Sequence, residues 1–218
     1  MKIHWLGHSC FKLEESTGTT VIADPYDPNQ IGFGIEKVNA DIITLSHQHR
    51  DHNYLGNVEG TPTIIDSIGC WEINGVGISS LVSHHDHEHG RKRGENLIFK
   101  YRMDGVDICH MGDIGEEITP IFGEAIGTVN VLMIPIGGNF TIDAEEAKEY
   151  IDFLMPDIVI PMHFKTDSCE LDIDKLDEFL DLFDDDQIIE VDGTMLELDR
   201  SNFDGDVTKV VVFDSSKF

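Results

Sequence analysis

The chain has 218 residues, which is long enough for one well-buried core, and 40% of them are hydrophobic. Its 42 acidic residues outnumber 15 basic ones and give a formal net charge of −27. Nucleic acids and anionic membranes bind basic patches, so this charge excludes both as expected partners. We therefore expect a small-molecule substrate, and the sequence leaves a homo-oligomer open.

The sequence also points to a cytoplasmic protein. Residues 1–6 already have the pattern of a strand, and no apolar run approaches the length that crosses a bilayer. The four cysteines are far apart and form no C-x-x-C pair, so we expect them to be reduced. They are Cys10, Cys70, Cys109 and Cys169.

The first half of the chain has the pattern of an antiparallel meander. Apolar segments alternate with short turns at residues 7–9 and 16–18, and a glycine-rich loop follows Asp24-Pro25. The predicted strands are residues 3–6, 10–14, 20–23, 41–45, 61–65, 76–82, 96–101 and 106–110.

Helices and strands alternate in the second half. Helical spacing predicts helices at residues 116–126, 144–154 and 171–183. The predicted strands are residues 129–136, 158–162, 187–191, 195–198 and 207–213. A meander followed by alternation predicts an α+β fold in a single domain, residues 1–218, with two sheets face to face and helices outside.

The most informative stretch is T-L-S-H-Q-H-R-D-H, from Thr44 to His52. It follows a predicted strand, and alternate side chains of extended backbone share a face, so His47 and His49 could hold one metal ion. Asp51 and His52 come next, where residues 53–56 could start a short helix, and would point at a neighbouring ion. Imidazoles at this density are more typical of a metal site than of a protein surface.

Three later residues lie where a strand gives way to a loop, the usual place for functional groups on a sheet scaffold. They are His85, Asp113 and His163. His84 competes with His85, because neighbouring side chains of a strand point to opposite sides and only one can face the metal.

The pattern H-x-H-x-D-H at residues 47–52, followed in order by a histidine, a Gly-Asp pair and a final histidine, resembles the metallo-β-lactamase superfamily. W-L-G-H-S-C-F at residues 5–11, P-I-G-G at 135–138 and P-M-H at 161–163 are similar to small metal-dependent hydrolases of that superfamily. The resemblance covers nearly the whole chain. It implies an αββα sandwich with the site at one edge of two mixed sheets.

The same resemblance implies two divalent ions, Zn²⁺ first, with Mn²⁺, Ni²⁺ or Fe²⁺ as alternatives. One ion would be held by His47, His49 and His85. The second would be held by Asp51, His52 and His163, with Asp113 bridging the two. The similar family pattern has a histidine immediately before an aspartate, which favours His85 over His84.

This ligand set implies hydrolysis. Two ions roughly 3.5–4 Å apart can lower the pKa of a shared water, and the resulting hydroxide would attack a small ester, lactone or phosphodiester. Asp51 is therefore expected to be catalytic as well as a ligand. His110 is expected either to lie behind the metal ligands or to donate a proton. The loaded site would carry a formal charge of about +1, which favours an anionic substrate. Candidate residues to clamp that anion are Arg91, Lys92, Arg93 and Lys165.

Several alternatives stay open. The basic loop at residues 91–93 could equally be a solvated turn or a subunit contact. The protein could be a non-catalytic metal-binding or regulatory protein, or a di-iron oxidoreductase. The di-iron oxidoreductases that share the fold of this superfamily typically have Glu where this chain has His49. They are also joined to a flavin domain, for which a chain of 218 residues has no room. No role is predicted for His4, His8, His87 and His89.

Overall fold

The computed structural model describes residues 1–32, 34, 36–199, 202–203 and 207–217. Its strands are β1 (Lys2–Trp5), β2 (Phe11–Glu14), β3 (Thr20–Ala23), β4 (Val38–Asn39), β5 (Ile42–Thr44), β6 (Val58–Glu59), β7 (Thr63–Ile65), β8 (Cys70–Ile73), β9 (Val76–His84), β10 (Glu95–Met103), β11 (Val106–His110), β12 (Val131–Pro135), β13 (Ile158–Met162), β14 (Ile188–Val191), β15 (Met195–Glu197) and β16 (Lys209–Phe213). Its α-helices are α1 (Pro28–Ile31), α2 (Pro120–Ile126), α3 (Ala144–Leu154) and α4 (Leu176–Leu180).

The strands form two large mixed sheets and a two-stranded ribbon of β4 and β6. The first sheet has the order β15-β1-β2-β3-β5-β7, and its last three strands run parallel. The second has the order β14-β16-β13-β12-β11-β10-β9-β8, with β11, β12 and β13 parallel. The carboxyl ends of parallel strands meet at one edge, so the loops after β3, β5, β11 and β13 can supply one site.

The core lies between the two sheets. Val21 of β3 points into it among residues of both sheets, whereas the adjacent Ile22 packs on the outer face, as the two-residue period of a strand requires. The hydroxyl groups of Thr44 and Tyr101 are hydrogen-bonded across the gap, 2.6 Å apart. The four cysteines are free. This architecture confirms the predicted α+β sandwich.

The helices lie outside the sheets. α3 begins at the N-cap Asp143, whose side chain accepts a hydrogen bond from the backbone N–H of Glu146, and it buries Tyr150 and Ile151. On the outer face of the first sheet the single turn α1 packs Ile31 against the Ile22 cluster. None of the described helices is long and apolar enough to cross a membrane.

Some predicted elements are shorter than expected or absent. α2 begins only at Pro120, with Thr119 as its N-cap, because proline suits the first turn of a helix. α4 occupies five residues of the predicted helix at 171–183. The predicted helix at 53–56 does not form, since the backbone N–H of Tyr54 donates to the carbonyl of Pro25 instead. The edge strand β8 was not predicted from sequence.

Candidate metal centre

All seven predicted metal residues meet at one edge of the sandwich. The loop after β5 carries four of them: His47, His49, Asp51 and His52. The other three follow strands of the second sheet: His85 directly after β9, Asp113 after β11 and His163 directly after β13. The two sheets therefore contribute to the same site.

Two groups of donor atoms together contain every predicted ligand except Asp113, and within each group the atoms lie within 4.8 Å of one another. The first group is His47, His49 and His85. The second is His8, Asp51, His52 and His163. These groups correspond to the two sets that the resemblance implies, with one unforeseen member, His8.

Asp113 lies between the two groups. Its Oδ2 atom is 3.8 Å from Nε2 of His47, 3.3 Å from Nε2 of His85, 3.1 Å from Nε2 of His52 and 3.4 Å from Nε2 of His163. A single carboxylate oxygen thus faces imidazoles of both groups, which is the position that a bridging ligand would need.

The carboxyl groups of the site are ionised. Burial raises the pKa of Asp113, but the neighbouring His163 and His52 outweigh this and hold it well below its usual range. Burial likewise raises the pKa of Asp51, and His52 again lowers it below the ordinary value. Anionic carboxylates are the form that binds a divalent cation.

Burial lowers the pKa of two imidazoles of the first donor group. Burial lowers the pKa of His47 to about 3 and also lowers that of His85. His52 differs, because Asp113 and Asp51 outweigh its burial and raise its pKa well above the usual value. A bound cation would therefore displace a proton from His52 while meeting a neutral His47.

The buried nitrogens fit a metal. In the described part of the chain His47 Nε2 and His52 Nε2, which face Asp113, are buried without a hydrogen-bond partner, as is Asp113 Oδ1. Buried polar atoms in folded proteins are nearly always hydrogen-bonded. Three unpaired polar atoms at the centre of the cluster are explained if the cluster binds cations.

Both ring nitrogens of His110 are hydrogen-bonded, unlike those of the predicted ligands, and this argues against a role as proton donor. Its Nε2–H donates to the carbonyl of Ser9, 2.8 Å away, and its Nδ1 accepts from the backbone N–H of Gly112. Burial lowers its pKa, so the ring is neutral with both nitrogens occupied. His110 fixes the loop before Asp113 and is no member of either donor group.

Asp24 orients histidines of both groups and was not predicted from sequence. Its carboxylate accepts from Nδ1–H of His52, 2.8 Å away, and from the hydroxyl and backbone N–H of Ser46. Ser46 Oγ in turn lies 2.9 Å from Nδ1 of His47. With both Nδ1 atoms engaged, the Nε2 atoms of His47 and His52 face Asp113. A carboxylate behind a histidine is a common support for metal ligands.

A signal for Asp24 was present in the sequence. It follows an apolar strand directly and precedes proline, so it is a charged residue at the carboxyl end of a buried strand. Its partner could not be found without the parallel pairing of β3 and β5, which sets Ala23 opposite Thr44. The backbone of Asp24 is left-handed, with φ of 47°, and this is a conformation that short polar residues tolerate.

Asn96 is a second support that the sequence did not reveal. Its side-chain amide donates to Ser83 Oγ and to the carbonyl of Met111, and its Oδ1 accepts from the backbone N–H of Asp113. Asn96 is fully buried. It therefore ties the loop that carries Asp113 to the neighbouring strands β9 and β10.

Gly112→Ala is expected to destabilise the fold by about 2–5 kcal/mol, the sum of a left-handed backbone cost and overpacking. Gly112 has φ of +57°, and an added Cβ would meet Asn96 Oδ1 and lie 2.7 Å from Ser46 Cβ. Denaturant unfolding measures the change. Gly18→Ala is the matched control, because Gly18 has φ of +98° with no atom within 4 Å of an added Cβ. Equal losses in both variants would contradict the steric argument.

The metal-free protein is expected to lose stability between pH 6 and pH 5. His47 and His8 have folded pKa values of about 3 and about 4, below the unfolded value of 6.5. In this window only the unfolded chain protonates them, so each removes about 1.4 kcal/mol per pH unit as pH falls. His52, whose pKa is raised, is protonated in both states there and adds no slope.

Urea unfolding of the metal-free protein at these two pH values measures this slope. His47→Asn is the matched variant. Its free energy of unfolding should fall less steeply with pH, by about the 1.4 kcal/mol per pH unit that one histidine contributes. A slope that is the same in both proteins would show that His47 does not titrate as its burial implies.

The comparison with known proteins identifies the family. A model described as a beta-lactamase superfamily domain matches residues 2–163. A Thermotoga maritima structure, described as a candidate Zn-dependent hydrolase of the metallo-β-lactamase superfamily, is 39% identical, covers 97% of each chain and superposes with a TM-score of 0.79. The chain belongs to the metallo-β-lactamase superfamily.

Two further proteins are similar at lower identity. A metal-dependent hydrolase of Pyrococcus abyssi is 28% identical over 195 residues, which covers 76% of this chain and 85% of that relative. The di-iron β-hydroxylase of Streptomyces venezuelae has a TM-score of 0.62 and 16% identity over 97% of this chain and 52% of its own. That last similarity concerns the fold alone.

In this superfamily member His85, and not His84, faces the donor groups. Nδ1–H of His84 donates to Oε2 of Glu116, 2.7 Å away, on the other side of the strand end. His87 is exposed and pairs with Glu146 at 3.5 Å, and His89 is exposed beside His84. His87 and His89 therefore lie outside the two groups around Asp113.

A cavity of about 370 Å³ opens over the donor groups of the metallo-β-lactamase-like site. Asp113 and donors of both groups line it, together with Lys92, Arg93, Phe140 and Leu171. The Arg93 guanidinium carbon lies 5.0 Å from the centre of the Phe140 ring, a cation–π distance. The cavity thus combines two cations with an apolar wall beside the metal residues.

Asp86 shapes the loop that carries these cations. Its carboxylate accepts hydrogen bonds from four backbone N–H groups, those of Glu88, Gly90, Lys92 and Arg93. Burial raises the pKa of Asp86, but these four donors outweigh it and lower the pKa to about 2. The basic loop is therefore an ordered turn that places Lys92 and Arg93 at the cavity.

Two predicted substrate-binding residues lie elsewhere. Arg91 is exposed and does not line the cavity. Lys165 is also absent from the cavity wall, because its ammonium group donates to the carbonyl of Leu171, 2.6 Å away, and ties that loop together. Lys92 pairs with Glu88 at 2.6 Å, so Arg93 is the cation of the loop most available to a ligand.

Proposed function

We propose that the protein is a hydrolase that uses two divalent cations to cleave a small anionic ester, lactone or phosphodiester. The observation that carries this proposal is the position of Asp113, whose one oxygen lies 3.1–3.8 Å from imidazoles of two separate donor groups. A carboxylate that lies between two groups of imidazoles is suited to hold two ions close together.

The first group with Asp113 supplies three imidazoles and a carboxylate, which suits Zn²⁺. Cations held in both groups would lower the pKa of a water between them and polarise the substrate oxygen under attack. Asp51 and Asp113 bring negative charge that lowers the cost of gathering two cations. No further side chain is needed as a general base, which agrees with the structural role of His110.

The substrate class follows from the cavity wall. Arg93 can pair with a carboxylate or phosphate, and its stacking on Phe140 limits the positions the guanidinium can take. Phe140 and Leu171 can pack on an apolar part of the substrate. A volume of about 370 Å³ suits a small molecule rather than a polymer, and the net charge of −27 repels nucleic acids.

Metal content and turnover test the proposal together. Protein stripped of metal and reloaded with Zn²⁺ or Mn²⁺ is expected to hold two ions per chain and to hydrolyse members of a panel of esters, lactones and phosphodiesters. Failure to hydrolyse any member with both positions filled would favour a non-catalytic metal-binding protein. Iron absorbance in the purified protein would favour the redox alternative.

Charge selectivity tests the role of Arg93. Arg93→Gln is expected to raise KM for anionic substrates by about tenfold or more, the range of one charge-assisted hydrogen bond, while uncharged analogues of the same size change little. Arg91→Gln is the matched control, because Arg91 belongs to the same loop and does not line the cavity. An equal effect of both variants would mean that the loop acts only through its general charge.

A further inference from the structure

His8 lies in the turn between β1 and β2, where the first strand has ended and the chain reverses. Its backbone is left-handed, with φ of 53°, a conformation that costs energy for a residue with a Cβ. Its side chain is 1% exposed. The fold thus uses an unfavourable backbone conformation to bury a polar ring.

Neither nitrogen of that ring has a hydrogen-bond partner among the described residues. The nearest carboxylate oxygen is Oδ2 of Asp51, 3.8 Å from Nε2, which is beyond hydrogen-bond distance. Leaving a buried polar group unpaired costs about 1–3 kcal/mol. His110 shows the alternative, since both of its nitrogens are paired with backbone groups in the same region.

The ring of His8 lies against the other members of the second donor group. Its centroid is 4.2 Å from that of His163 and 5.5 Å from that of His52, and its donor atom lies within 4.8 Å of those of Asp51, His52 and His163. His8 therefore lies among the donors of one candidate metal position.

We propose that His8 is a further ligand of the second metal position, an inference that rests on the proposed two-ion function. The second position then has His8, Asp51, His52, His163 and the shared Asp113, which are five protein donors. The first position has His47, His49, His85 and Asp113, which are four. Four donors suit Zn²⁺, whereas five leave one place in an octahedron, as Mn²⁺, Fe²⁺ or Ni²⁺ prefers. The two positions therefore differ in the metal they favour.

Titration of metal-free protein with Co²⁺ alone tests the ligand role of His8. His8→Asn is the variant, because asparagine tolerates a left-handed backbone. One of its two equivalents of Co²⁺ is expected to bind at least 100-fold more weakly than in the unmodified protein, with the other equivalent unchanged. His4→Asn is the matched control, since His4 Nε2 is also buried without a partner but lies in β1 and outside the donor groups.

A second measurement avoids substitution altogether. In protein loaded with ¹¹³Cd²⁺, six histidine rings should show nitrogen–cadmium coupling: His8, His47, His49, His52, His85 and His163. Five coupled rings without His8, or unchanged Co²⁺ affinity in folded His8→Asn, would overturn the assignment of His8 alone. Binding of fewer than two ions by the unmodified protein would instead overturn the proposed function.

Discussion

Replacing Asp113 with asparagine is expected to weaken metal binding at both positions by more than about 100-fold, which exceeds the usual effect of altering a residue behind a ligand. Its Oδ2 atom faces imidazoles of both donor groups, so the neutral amide removes a shared negative charge from each. Hydrolytic activity should fall with it. Metal content after dialysis and turnover on the best substrate of the panel measure the two effects.

The Asp113 variant needs a control for the loss of one carboxylate. Asp177→Asn, in α4, removes a similar charge from an exposed position and should leave both readouts unchanged. If Asp113→Asn kept one tightly bound ion, Asp113 would belong to a single position and would not bridge.

Replacing Asp24 with asparagine is expected to weaken both positions by about 10–100-fold, although Asp24 is in neither the first group nor the second group around Asp113. Its carboxylate holds His52 directly and His47 through Ser46, and a neutral amide cannot accept all of these hydrogen bonds. Asparagine suits the left-handed backbone at this residue, so the backbone adds no cost of its own to the lost hydrogen bonds.

Separate titration of the two equivalents of Co²⁺ distinguishes this role from a general one. An affinity loss confined to one equivalent would show that the link through Ser46 to His47 does not matter. Ser46→Ala is the complementary variant, because it removes the link to His47 and leaves the direct bond from His52 to Asp24.

The sequence predicted the fold and the family because both are set by local patterns. Strand periodicity and the spacing of residues 47–52 can be recognised without any knowledge of packing. The αββα sandwich that they predicted is confirmed. Strand alternation predicted that only one of His84 and His85 faces the metal, and the family resemblance favoured His85, which is the one that lies in the site.

The residues that the sequence did not reveal depend on pairing between distant segments. Asp24 meets Ser46 and His52 only because β3 and β5 run parallel, and His8 meets His163 only because the two sheets pack together. His110 and Lys165 were considered for chemical roles because each is a polar side chain close in sequence to the predicted ligands. In the structure, the side chain of each is hydrogen-bonded to backbone groups.

Each donor group draws residues from both sheets. The first joins His47 and His49 of the first sheet to His85 of the second, and the second joins His52 to His163. Each bound ion would therefore act as a cross-link between the two halves of the sandwich. An ion present at a thousand times its Kd adds about 4 kcal/mol to the free energy of unfolding. The folded stability of this protein in a cell would then depend on the supply of metal as closely as its activity does.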